Sequence, residues 1–121
     1  MNWIKIASLL MFFAVALGAF GAHGLKSKLS EHYFDVFKTG VLYHALHALA
    51  LFAVAWVSTQ TPDHKVHLAG YFFVLGVFLF SGSLYGLSIT QFKPFAFLTP
   101  FGGLSFLMGW VLLFLSKTGK L

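Results

Sequence analysis

Two histidines three residues apart, His44 and His47, stand beside Tyr43 inside the apolar run from Thr39 to Val57. Side chains three apart share one face of a helix. An imidazole held in hydrocarbon has lost its water and must bond to another helix, line a wet cavity or bind something. Further polar side chains follow: Ser81, Ser83 and Tyr85 late in the third apolar run, then Thr99 and Gly102 at the opening of the fourth, while His23 closes the first. Histidines at this spacing suit metal ligation, but no carboxylate lies in any apolar run to complete a ligand set, so no metal is expected. Ser81 or Ser83 with His47 would supply the nucleophile and base of a hydrolytic site. The only acids, Glu31, Asp35 and Asp63, lie outside the runs, so the orienting group is missing. A proton relay through Tyr43, His47 and Tyr85 lacks a carboxylate for the same reason. Neither catalysis nor a cofactor is expected, which leaves binding, or hydrogen bonding between helices, as the use of these groups.

The elements that must position them are membrane spans. Of the 121 residues, 59% are hydrophobic and 9% charged, against about a quarter charged in a soluble domain. That is too little charge to clothe a globule in water. Sixteen Phe and twelve Gly fit the same reading, since glycine is frequent in membrane helices. Four apolar runs, at about 4–22, 39–57, 66–89 and 97–116, are each near the length a bilayer crossing needs. One domain, 1–121, contains them all.

The lysines punctuate the loops singly, and no arginine occurs. That excludes a bidentate reader of phosphate or bases and gives no expectation of nucleic acid binding. Without cysteine, disulfides and thiolate chemistry are absent as well. The first run ends in Ala19-Phe20-Gly21-Ala22, which would also suit a signal-peptide cleavage site. Ala14, Gly18 and Ala22, however, make a small-residue face of the kind that packs membrane helices. Between the first two runs, Leu25, Leu29, Tyr33, Val36 and Phe37 recur at helical spacing, and the charges fall on other faces. This pattern predicts a short interfacial helix within 24–38, capped by Ser27 or Ser30. His64 and His67, beside Asp63 at the entry of the third run, are expected to be solvated.

Alternating direction brings the end of the first run, the start of the second, the end of the third and the start of the fourth to one membrane face. His23, Tyr43, His44, His47, Ser81, Ser83, Tyr85, Thr99 and Gly102 then gather in one half of the bilayer, as a cup of polar groups. His44 and His47 would lie about 8 and about 12 Å below the start of the second run, at about 1.5 Å per residue. Lysines balance four against four across the membrane. The α-amino group, and the acids beside the lysines of the first connection, favour both termini being cytoplasmic.

Four blocks of residues resemble a known family. They are Gly18-Ala19-Phe20-Gly21-Ala22-His23-Gly24; Phe37-x-Thr39-Gly40-Val41-x-Tyr43-x-x-His47-x-Leu49-Ala50; Phe80-Ser81-Gly82-Ser83-Leu84-Tyr85; and Thr99-Pro100-x-Gly102-Gly103 with Gly109-Trp110. In this order they are similar to the small multi-pass family of unknown function that includes the bacterial inner-membrane YgdD-type proteins and eukaryotic transmembrane protein 256. The resemblance implies four spans with the first helix retained, a bacterial cytoplasmic-membrane location, and no established catalytic or binding residues. His44 departs from the family pattern, which commonly carries Gln there; both side chains hydrogen-bond.

The expectation is thus an all-α, integral membrane four-helix bundle with a short interfacial helix between its first and second spans. Its leading function is to bind a small polar ligand, an ion or a lipid headgroup in the one-sided cluster, as a binding or transport-accessory protein. The alternative is a structural or partner-binding protein, homo-oligomeric or paired with another membrane protein, whose histidines are interhelical glue.

Overall fold

A computed structural model describes residues 1–118 of the chain. Four helices long and apolar enough to cross a membrane follow one another. They are α1 (Trp3–Leu25), α2 (Glu31–Gln60), α3 (His64–Thr90) and α4 (Thr99–Leu115), the last entered through a 3₁₀ turn at Lys93–Phe97. No strand occurs among the described residues. Lys120, one of the lysines in the balance above, lies outside them.

Side-chain caps fix three of the helix starts. Asn2 Oδ1 accepts the Lys5 N–H, Ser30 Oγ the Tyr33 N–H and Asp63 Oδ1 the Lys65 N–H, each satisfying a donor that the first turn leaves unpaired. Asp63 also accepts the Lys117 N–H through Oδ2, at 2.9 Å. These two backbone donors hold its carboxyl below the usual carboxylate range. They also tie the end of α4 to the start of α3. Trp3 at the head of α1 donates its indole N–H to His67 Nδ1, 2.9 Å away, and its ring lies over Gly70. Both ends of the described chain and the α2–α3 connection therefore share one face. His67 is not the solvated group expected, because a buried indole needs an acceptor and His67 is the one within reach.

The separate interfacial helix does not form. Ala22–Leu25 completes α1, Lys26 to Lys28 turn, and α2 starts directly after Ser30. Nothing stops it at Thr39, whose Oγ1 donates to the Asp35 carbonyl along the same ladder. Phe37 is fully buried, with its ring at Gly21 of α1 and 5.4 Å from that of Tyr85. Docking Phe37 on two spans buries an aromatic surface that an interfacial helix would leave in the headgroups. The first turns of α2 are therefore a rigid extension of the span.

α2 packs between α1 and α3, and α4 lies along α3. The apolar core occupies the half nearer the termini: Trp3 and Ala7, Leu51 and Val54, Val66, Ala69 and Phe73, and Phe106. On the outside, Phe12, Phe20, Trp56, Phe78, Leu107 and Phe114 are exposed, a girdle of a kind soluble monomers rarely carry. The chain is a multi-pass membrane protein. The small face of α1 is spent internally, since Ala14 is buried and a Cβ at Gly18 would press on Val41 of α2.

Two helices widen by one residue. α1 has a π turn at Leu17–Gly21 and α3 one at Val77–Ser81. In the latter the Gly82 N–H reaches back five residues to the Val77 carbonyl. α4 meets α3 at this wide turn, where a Cβ on Gly102 would collide with the backbone of Leu79 and Phe80.

Candidate functional site

The polar residues of the spans do not form one cup. They make three separate interhelical links, and the longer α2 explains part of this. Counted from Glu31, His44 lies about 20 Å along the helix and His47 about 24 Å, at about 1.5 Å per residue. Both lie near the middle of α2, whose first turns carry the exposed Asp35 and Lys38 and project beyond the apolar run.

The first link joins α2 to α4. His47 is buried, its Nδ1 lies 2.8 Å from the Tyr43 carbonyl, and its Nε2 lies 3.1 Å from Trp110 Nε1. A carbonyl only accepts and an indole N–H only donates, so His47 carries its proton on Nδ1 and both nitrogens are satisfied. The ring also stacks on Phe106 with centroids 3.6 Å apart and planes 9° from parallel. The Tyr43 ring packs on Phe80 at 4.7 Å. Trp110 was not singled out as a site residue from the sequence. A tryptophan late in the fourth run, in need of an acceptor, was the available signal.

The second link joins α3 to α4. Ser83 Oγ donates to the Phe80 carbonyl and lies 2.6 Å from Thr99 Oγ1. Ser81, two residues earlier, is wholly buried and has no partner. Ser83, Ser88 and Ser116 each bond the carbonyl three residues back, and Ser105 bonds the Phe72 carbonyl across to α3. Ser81 alone among the buried serines does not. It ends the π turn, where the Val77 carbonyl four residues back already takes the Gly82 N–H.

The third link joins α2 to α3. His44 Nδ1 lies 2.8 Å from Tyr85 Oη. The Tyr85 ring in turn rests on Gly40, where a Cβ would come within 2.9 Å of it. The carbonyl of Leu10 on α1 approaches the His44 ring, yet Nε2 completes no hydrogen bond. Beside this pair lies a cavity of about 360 Å³ between α1, α2 and α3. Leu9, Leu10 and Phe13 wall it on α1, and Val77, Phe78 and Gly82 on α3, with His44 and Tyr85 on the inner side. A Cβ at Gly82 would meet only the Val77 carbonyl, at 3.9 Å. His23 is exposed at the end of α1, outside all three links. Among the described residues no three His, Asp or Glu side chains come together as a metal would require.

The comparisons agree with this architecture. Residues 17–103, the stretch holding all three links except Phe106 and Trp110, match the family described as "Protein of unknown function (DUF423)". The chain belongs to this family. It is 43% identical over 112 residues to UPF0382 membrane protein YwdK of Bacillus subtilis, covering 92% of this chain and 91% of the relative. It is 40% identical over 114 residues to UPF0382 membrane protein SAB0533 of Staphylococcus aureus, covering 94% and 93%. With UPF0382 inner membrane protein YgdD of Escherichia coli it shares 41% identity over 102 residues, covering 84% and 78%. No solved structure matches. Family membership agrees with the resemblance of the four sequence blocks and with a location in the cell membrane.

Proposed function

We propose that this protein binds a membrane-dissolved, mainly apolar molecule in the cavity between α1, α2 and α3, holding it by one hydrogen bond. The observation that carries this reading is the buried His44, which lines an otherwise apolar cavity and whose Nε2 completes no hydrogen bond. A buried polar atom without a partner costs about 1–3 kcal/mol, and a ligand atom can recover that cost. The volume lies within the range of small-molecule sites, about 300–1,000 Å³. The π turn of α3 supplies two of the walls, and such turns recur at functional sites. Walls of Leu, Phe and Val would solvate neither an ion nor a headgroup, so the occupant is apolar over most of its surface. No reaction is proposed.

The test is thermal unfolding in lipid nanodiscs with added lipid-soluble compounds. A ligand that binds only the folded state raises the midpoint. Stabilisation of the wild type that vanishes in Gly82→Leu, which fills the cavity, supports the reading. No stabilisation by any compound of matching size overturns it.

A structural role accounts for the other histidine. Both nitrogens of His47 are satisfied within the protein, which supports its reading as interhelical glue between α2 and α4. We further propose that both termini face the cytoplasm. Because the chain has no cysteine, single Cys substitutions at Ser58 and Ser27, reacted with a membrane-impermeant thiol reagent, test it directly. Labelling at Ser58 from outside would reverse the orientation.

A further inference from the structure

The hydrogen-bond count around His44 specifies more than a cavity. If Nδ1 carried the proton and donated it to Tyr85 Oη, the Tyr85 hydroxyl proton and the Nε2 lone pair would both lack partners, since Oη makes no other hydrogen bond among the described residues. If instead the phenol donates to Nδ1, only the Nε2–H is left over. The second arrangement leaves one unpaired function in place of two. The unpaired function is thus a donor.

Resting on the binding reading above, we infer that the ligand is a lipid-soluble carbonyl compound, a ketone, quinone or ester, whose oxygen accepts from His44 Nε2–H while its apolar body fills the cavity beside Gly82. An alcohol oxygen also accepts, but its own hydroxyl proton would then be left without a partner in the cavity. A carbonyl has no such proton. The nitrogen is sealed from water, so the oxygen gains access as the Leu10 side chain, part of the same wall, gives way. Tyr85 is a positioning residue here, because its hydroxyl fixes which imidazole nitrogen keeps the proton.

The experiment has two arms. ¹⁵N NMR of histidine-labelled protein in nanodiscs reads the tautomer without any ligand, with His44→Gln assigning the signal. Protonation at Nε2 is expected, and protonation at Nδ1 overturns the inference. Thermal unfolding is then compared for a long-chain methyl ketone, the primary alcohol and the alkane of equal length, in ether-linked lipid. The ketone should bind roughly fivefold to tenfold more tightly than the alkane, the worth of one net hydrogen bond. His44→Phe should erase that difference without weakening the alkane. Equal binding of all three, lost in Gly82→Leu, overturns the carbonyl class while the cavity reading stands. No binding by any of them overturns both. A midpoint that rises, and a ketone response that disappears, on exchanging ether-linked for ester-linked lipid would assign the carbonyl to the bilayer instead.

Discussion

His44 and His47 lie one turn apart on one helix and are equally buried, at 4% exposure each, yet they sit in opposite kinds of surroundings. His47 faces the α3–α4 side, where rings and glycines interlock. The Phe106 ring lies over Gly76, and a Cβ on Gly109 would come within 2.6 Å of the Phe73 ring. Every polar atom of that imidazole has a partner. His44 faces the α1–α3 side, where the two helices diverge around a cavity and one nitrogen is left over. Burial alone therefore does not distinguish the two histidines. The hydrogen-bond inventory does.

The comparison breaks most visibly at two glycines. Gly102 meets the backbone of α3, which cannot yield as a side chain can. Gly102→Leu should therefore destabilise at or beyond the upper end of the usual overpacking cost of about 1–3 kcal/mol. Gly82 borders the cavity, so Gly82→Leu should be neutral or mildly stabilising, because leucine is the better helix former by under about 1 kcal/mol. Equilibrium unfolding of both variants in nanodiscs checks the pair. Similar losses at the two positions would mean that the cavity is not open.

The histidines give the next effect. His47→Leu strips a partner from the Trp110 indole and the ring stack from Phe106. At about 0.6 kcal/mol for an average membrane hydrogen bond and about 0.5–1.5 for the stack, the expected loss is about 1–2 kcal/mol. The double variant His44→Leu with Tyr85→Phe removes both members of the other pair together with the leftover nitrogen. Replacing both partners by apolar groups is nearly neutral, so its stability should stay within about 0.5 kcal/mol of wild type. The same unfolding measurement ranks them, and a larger cost for the double variant would reassign His44 to structure.

The architecture was legible because it rests on composition and run length: four apolar runs, nine residues in a hundred charged, and lysines confined to the ends of the runs and the stretches between them. The boundary of α2 was not, since the amphipathic pattern of 24–38 is shared by an interfacial helix and by the projecting end of a span. What decides is where Phe37 docks, and that is a tertiary fact. The list of polar residues named the members of all three links except Trp110, but not their partition. Partition depends on helix rotation, and the π turn of α3 adds a residue that re-aims everything after it. Trp110 entered the sequence reading only as a motif residue, and Trp3 did not enter it. Each takes a histidine as acceptor, His47 and His67 respectively.

The smallest effect belongs to the far face, where Asp63 ties the end of α4 to the start of α3. Its carboxyl is held below the ordinary carboxylate range by the N–H groups of Lys65 and Lys117, so on acidification the unfolded chain takes up the proton first. The stability it contributes is then complete above an unfolded value of about 3.9 and is lost as the pH falls through the lower folded value. Asp63→Asn should lower the midpoint slightly at neutral pH and flatten the acid limb of the midpoint-against-pH curve, with no change in ligand response at the distant cavity. A variant whose acid limb matched that of wild type would show that the link between α3 and α4 draws nothing from the charge of this carboxylate.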